Sequence, residues 1–407
     1  MDGHSHGAEM MRATAPEGLG LSWLLDPVSP AVFLRDYWEE NLLHLPRNDN
    51  RDYASLLTLD QVDAMLTSAD VSADVIDVTT SDGSFDRTAF TRSDGSIDVV
   101  MACQLFAKGA TLILRSLHKW RPPVAALCRA LEHAFSFPVT ANLYMTPRGV
   151  MGLPIHYDTH DVFVLQIAGS KDWTIFDVPV RLPLQGQPFD EAVHRVGKPT
   201  KTLTLRAGDC LYVPRGFLHH AQSRDELSLQ LTLGVRCYRW ADVLLETIAE
   251  LCLSDAAFRR ALPVDLARPE FDAAAARRTF ADLMRRAAET AQPDRALARL
   301  ADEFIDSRLA HVPAQLTQMM STEDLMPRDE VGARPSLIYR LEADGDGVRV
   351  RSQGRQLSLS GVTPDTVSFA LDRRRYRVSD LPGDLDDQEK LDVVRRLIAE
   401  GLVVRHA

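Results

Sequence analysis

The spacing of apolar positions changes character several times along the 407-residue chain. Near the start, Phe33, Tyr37 and Trp38 recur at helical spacing behind Pro30, which predicts a helix opening at Ser29-Pro30. Leu59, Val62 and Leu66 predict a second helix over residues 58–67. Residues 75–78, 97–100 and 109–114 read as strands, and 123–135 as a helix. From Val139 to Val235 short apolar runs alternate with turn residues at regular intervals, the pattern of an all-β sandwich or barrel.

Beyond residue 241 the chain becomes rich in Ala, Leu, Arg and Glu. Helices are expected over 241–253, 272–292 and 294–309, punctuated by Pro263, Pro269, Pro293 and Pro313. Amphipathic helices in such an arm often form a dimer surface. The last portion reads strand (337–341), strand (347–350), helix (364–371), helix (387–400) and strand (402–404), with Gly401 stopping the long helix. That order suggests a winged-helix module. Arg373-Arg374-Arg375 could meet a phosphate backbone, but acidic and basic residues nearly balance across the module, so a solvated or protein-contacting turn is expected. Residues 1–20 are expected to be a disordered tail carrying His4 and His6.

Composition narrows the class. The length calls for more than one domain, and 45% hydrophobic with 25% charged residues is ordinary for a globular protein. A formal net charge of −11 argues against a general nucleic-acid binder. Five cysteines without a C-x-x-C pair fit reduced thiols. No secretory h-region follows Met1, and no apolar run reaches the roughly 20 residues of a membrane span, so a cytoplasmic protein with no membrane or nucleic-acid partner is expected.

The candidate chemistry lies inside the strand-rich region. On a strand, residues i and i+2 share a face, so His156 and Asp158 project together and Tyr157 points away. An imidazole and a carboxylate so placed need one further ligand to make a 2-His-1-carboxylate facial triad, the donor set of non-haem Fe(II) oxygenases. Gly208-Asp209-Cys210-Leu211-Tyr212-Val213-Pro214-Arg215-Gly216-Phe217-Leu218-His219 supplies a turn, a strand and a tight turn. Its spacing, similar to the second cupin motif, selects His219 over His220, which would face the other way. His160 would join that face only if the strand ran on through Thr159-His160-Asp161, which reads as a turn, and His118, His133 and His194 are assigned no ligand role. Lys171, in Gly169-Ser170-Lys171-Asp172, reads equally as a solvated hairpin lysine or as a cation at the barrel mouth.

Asn142-Leu143-Tyr144, His156-Tyr157-Asp158, Gly169-Ser170-Lys171-Asp172-Trp173 and the Gly208–His219 run together resemble the Jumonji C-type ribosomal oxygenases. The likeness extends to Phe33-Leu34-Arg35-Asp36-Tyr37-Trp38-Glu39-Glu40 and, in outline, to the helical and C-terminal portions. It implies an α+β chain: a double-stranded β-helix (cupin/JmjC barrel) with N-terminal helices over 21–240, a helical dimerisation domain over 241–330 and a winged-helix domain over 331–407. It further implies that His156, Asp158 and His219 hold Fe(II), that Lys171 binds the distal carboxylate of 2-oxoglutarate, and that Asn142 and Tyr144 line the same pocket. The implied reaction consumes O2 and 2-oxoglutarate, releases succinate and CO2, and hydroxylates a ribosomal protein on His or Arg, with a homodimer as the working form. A peptide or small-molecule hydroxylase, a lysine demethylase and a non-catalytic metal-binding cupin regulator are the competing readings.

Overall fold

A computed structural model of the chain describes residues 12–13, 18–47, 53–67 and 72–406. The tail expected before Gly20, with His4 and His6, lies mostly outside the described residues; within it, Arg12–Ala13 form a short strand, β1. Helices α1 (Leu21–Leu25) and α2 (Pro30–Asp36) follow. Ser29 starts α2 by accepting a hydrogen bond from the Val32 amide at 3.3 Å, with Pro30 just inside. Phe33 on α2 is fully buried edge-on to Tyr212, and Trp38 stacks on Phe135.

Strand β2 (Leu43–Leu45), helix α3 (Leu59–Thr67) and strands β3 (Ile76–Thr80) and β4 (Gly83–Ser84) come next. The strand expected at 97–100 is not formed. Asp98 instead caps helix α4 (Val99–Ala107), accepting from the Met101 amide at 3.0 Å. Val99, Ala102, Leu105 and Phe106 then meet the core at helical spacing, which overrides the β-preference of Val99-Val100. Strand β5 (Thr111–Leu114) and helix α5 (Pro122–Phe135) complete the N-terminal layer.

Two facing sheets make the barrel. Its strands are β6 (Val139–Thr146), β7 (Asp161–Ala168), β8 (Ser170–Ile175), β9 (Lys201–Arg206), β10 (Cys210–Val213), β11 (His219–Ser223) and β12 (Ser228–Val235). The larger sheet runs β2-β10-β7-β12-β6-β5-β3-β4, and the smaller β11-β8-β9. Strand alternation divides the larger sheet. Leu143, Phe163, Leu165, Tyr212, Leu231 and Leu233 point outward into the core shared with the N-terminal helices. Val162, Val164, Leu211 and Val213 point inward to meet Trp173, Ile175 and Leu205 of the smaller sheet.

Residues 238–308 form a compact unit of their own, built from α6 (Trp240–Ser254), α7 (Ala273–Thr290) and α8 (Pro293–Ser307). Within it Trp240, Leu244, Leu245, Leu253 and Phe280 are exposed. From Leu309 the chain belongs to the same unit as the barrel: α9 (Gln315–Met320), β13 (Glu330–Ala333), β14 (Ile338–Asp344), β15 (Gly347–Ser352), β16 (Arg355–Leu359), α10 (Pro364–Asp372), β17 (Tyr376–Arg377), α11 (Asp387–Ala399) and β18 (Val403–Arg405). These strands make the sheets β1-β14-β15-β16 and β17-β13-β18. Strand β16 was absent from the pattern-based expectation; it pairs with β15 across the turn at Gln353 and Gly354. In the arginine run, Arg373 lies over the Phe369 ring at 3.7 Å and Arg375 pairs with Glu330 at 3.2 Å, so both contact protein. Among the described residues no helix is long and apolar enough to cross a membrane.

One glycine fixes how the chain enters β11. Gly216 has φ +90°, and a Cβ there would lie 2.3 Å from the Val180 carbonyl oxygen. Gly216→Ala is therefore expected to cost about 2–4 kcal/mol, seen as a lower urea midpoint at unchanged m; an unshifted midpoint would contradict this reading of the turn.

Candidate metal centre and its cavity

His156, Asp158 and His219 each offer a ligand atom, and these atoms lie within 4.8 Å of one another. The element carrying the first two differs from the expectation. Residues 152–160 are not a continuous barrel strand; His156 makes a single β-bridge to His219. The bridge is reciprocal: the His156 amide donates to the His219 carbonyl at 3.1 Å, and the His219 amide donates back at 2.8 Å. The Gly216 amide donates to the Asp158 carbonyl at 3.0 Å, which extends the attachment. The inward and outward assignments hold without the strand. Tyr157 packs away from the site with Phe176 and Leu218, and its hydroxyl donates to the Gln187 carbonyl at 3.0 Å. His220 faces the Phe176 ring.

Both imidazoles are oriented by the same local device. His156 Nδ1 lies 2.8 Å from the Pro154 carbonyl and His219 Nδ1 lies 2.9 Å from that of Phe217. A carbonyl only accepts, so each ring keeps its proton on Nδ1 and turns the Nε2 lone pair toward Asp158. His219 Nε2 and Asp158 Oδ2 are 4.0 Å apart, too far for a hydrogen bond but suitable for an ion between them. Burial, then His156, push His219 down to about 4, so its ring is neutral. Burial pushes the Asp158 carboxyl up, but His160, His156 and His219 together hold it below its ordinary value. Two imidazoles that each leave Nε2 without a protein hydrogen bond, together with one carboxylate, are a donor set suited to a divalent transition metal.

The cavity in front of these groups measures 70 Å³, more than the space of one water. Its polar wall follows from strand parity. Asn142 and Tyr144 of β6 line it, opposite Thr232 and Gln230 of β12. Asn142 Oδ1 also accepts from the Ser116 amide at 3.0 Å. Burial, then the Asp158 charge, push the Tyr144 phenol up to about 12, so it is neutral.

Lys171 is 4% exposed, which excludes the solvated hairpin reading; it lies in β8 and its amine donates to Thr146 Oγ1 at 3.1 Å. Thr111 Oγ1 donates in turn to Thr146 at 3.1 Å. A Cβ on Gly152 would stand 3.3 Å from the Lys171 amine, so the glycine leaves space directly beside that cation. The structure thus brings all six sequence-predicted site residues around one cavity. Thr111, Thr146, Gln230 and His160 also belong to its surroundings and were not singled out as site residues. Thr146 was within reach of the same i, i+2 parity, but Thr111 and Gln230 come from strands with no local signal. His160 lines the cavity although its segment is not a strand, because Gly234 lies beneath its ring.

A second cluster of donors, Glu39, Asp161 and Cys237, lies nearby. Arg215 occupies it, reaching Asp161 at 2.6 Å and Glu39 at 2.5 Å, so both carboxylates already have a cationic partner.

Residues 118–243 match the family model of the JmjC domain. This segment is a JmjC domain. The chain is 30% identical to Ribosomal oxygenase 2 of Bos taurus over 263 residues, 62% of this chain and 56% of that protein. It is 29% identical to Ribosomal oxygenase 1 of Gallus gallus over 352 residues, 82% of this chain and 58% of that protein. The chain thus spans little more than half the length of these curated relatives. Among solved structures, Escherichia coli ribosomal oxygenase YcfD superposes with TM-score 0.52 at 17% identity, covering 93% of this chain and 98% of that one. YcfD in complex with cobalt and succinic acid gives 0.51 at 16%, covering 97% and 100%. These likenesses establish the JmjC cupin-type fold, in which the cavity of this domain is the barrel interior.

Burial lowers the Lys171 amine from 10.5 to about 8, and the sign of the stability change follows. A base with a depressed folded value binds more protons unfolded, so its contribution is complete above 10.5 and is lost as pH falls through about 8. Lys171→Met should therefore flatten the rise in ligand-free stability between those pH values and raise the unfolding midpoint at pH 7. Parallel wild-type and variant profiles would refute this account of the lysine.

Proposed function

We propose that the chain is an Fe(II)- and 2-oxoglutarate-dependent oxygenase that hydroxylates a His or Arg side chain of a ribosomal protein in the cytoplasm. The observation carrying this reading is the pairing, in one cavity, of a three-donor metal constellation with a buried lysine. His156, Asp158 and His219 would hold the iron. When bound, iron supplies the centre at which O2 and 2-oxoglutarate react to give succinate, CO2 and a hydroxylated product.

The chain's own groups do the rest. Lys171, held on Thr146, presents its amine as the counter-charge for the distal carboxylate of 2-oxoglutarate, and a dicarboxylate there restores the charge that burial disfavours. Tyr144 and Asn142, both neutral, supply hydrogen bonds along the same wall. Val162, Val164 and Trp173 exclude water from it.

The ribosomal target rests on the named relatives, and the YcfD complex shows a metal and a dicarboxylate product in that protein. The finer domain assignments belong to the same reading: a catalytic part over 21–240, a helical dimerisation part over 241–330 and a winged-helix part over 331–407. Exposed Leu244 and Leu245 on α6 support a homodimer surface.

Incubating the pure protein with Fe(II), 2-oxoglutarate and O2, with and without a ribosomal protein extract, should yield succinate. His219→Ala should lower the rate more than about 100-fold, while His220→Ala, whose ring faces Phe176, should stay within a few-fold. Equal rates in the two variants would defeat the site assignment, and absence of succinate in every mixture would favour the regulator reading. Intact-mass spectra of ribosomal proteins from wild-type and deletion strains should differ by one oxygen on one protein. Separately, Leu244→Glu with Leu245→Glu should convert a dimer to a monomer by light scattering. A dimer that survives both substitutions excludes α6 as the interface.

A further inference from the structure

A second cavity, of 220 Å³, lies between α5 and the segment that leads into the C-terminal sheets. Arg129 on α5, His311 and Arg334 line it, and among the described residues no carboxylate does. Arg129 is answered by Glu132 at 2.6 Å. Arg334 is not. It is 3% exposed, and its two terminal nitrogens donate to neutral acceptors, the Pro313 carbonyl at 3.0 Å and Gln315 Oε1 at 2.6 Å. Its Nε meets no acceptor, and among the described residues no carboxylate pairs with it.

A guanidinium keeps its proton throughout the range in which proteins fold. An isolated buried charge is strongly disfavoured, so such a group calls for a counter-ion. The Arg129 guanidinium, already paired with Glu132, adds a second positive charge to the same wall. His311 is held neutral by burial and by the Arg129 and Arg334 charges, which leaves its ring able to donate a further hydrogen bond. The volume far exceeds the space of one water.

We propose that this cavity is a binding site for a small oxyanion, a phosphate or a short carboxylate, held by Arg334 and His311 with Arg129 behind them. The bound anion neutralises Arg334 and bridges α5 to the segment carrying His311 and Arg334. The site is separate from the JmjC cavity, and among the described residues the two share no lining residue.

The full-length protein is titrated with potassium phosphate and, in a second arm, potassium acetate, with ionic strength held constant by KCl. A saturable rise in Tm of about 2 °C at tenfold excess over Kd is expected. A rise with phosphate alone assigns a phosphate site, and a rise with both assigns a site that also accepts carboxylates. Arg334→Met should raise Tm in KCl alone and abolish the anion-dependent rise. An arginine with only a structural role would lower Tm on substitution and leave the rise in place. Should Arg334→Met not fold, His311→Gln is expected to weaken the response and Arg334→Lys to retain part of it. No rise beyond KCl, as when a carboxylate of the chain itself already neutralises Arg334, overturns the proposal, as does an undiminished rise in Arg334→Met or His311→Gln.

Discussion

The buried pair of Asp161 and Arg215 holds together the two chain segments on which the site depends. Asp161 opens β7 three residues after Asp158, and Arg215 sits in the turn four residues before His219. Asp161 is fully buried and accepts from Arg215 at 2.6 Å and from the Tyr212 hydroxyl at 2.8 Å. Glu39, just after α2, closes the other side of Arg215 at 2.5 Å. Burial disfavours the Arg215 charge, but Asp161 and Glu39 more than reverse this, so the guanidinium is held firmly protonated. Removing Arg215 would strand the fully buried Asp161 carboxylate, a loss of about 3–5 kcal/mol for such pairs. The N-terminal layer, the larger sheet and both ligand-bearing segments therefore meet at one charge cluster.

Within the barrel, polarity is segregated by depth. Val162, Val164, Ile175 and Leu205 fill the space between the sheets, while Thr111, Thr146 and Lys171 form a connected polar patch on the same interior. Such a patch is tolerated because the Thr111 hydroxyl and the Lys171 amine both find an acceptor in Thr146, with the lysine amine retaining capacity for more. Acid character collects at Asp158 and basic character at Lys171, so a ligand with unlike ends meets a polarised container rather than a uniform one.

Much of this was legible in the sequence, and the misses share one cause. The convergence of His156, Asp158 and His219 could be read because two short motifs each place side chains by local rules: parity at His156 and Asp158, turn spacing at His219. The rule worked although the supporting strand is only one bridge, since extended backbone alternates faces with or without a full ladder. The barrel, α2, α3, α5 and the long helix α11 followed from periodicity. Residues 97–100 were misread because β-branched residues mask an Asp cap that acts only through the next amides. Strand β16 was missed because Gln356-Leu357-Ser358-Leu359 offers too few apolar positions. Thr111 and Gln230 gain meaning only when distant strands assemble, which no local pattern encodes.

The reciprocal bridge between His156 and His219 has a consequence for energetics. Two residues sixty-three positions apart in the chain are joined backbone to backbone at the point where their side chains converge. The ordering of the donors is completed by folding itself, and little conformational entropy is left for an arriving ion to remove. Affinity at such a preformed centre reflects coordination chemistry more than loop closure, and its loss should leave the surrounding barrel in place. The three donors are thus held in place by the fold itself, unlike those of small domains that exist only while their metal is bound.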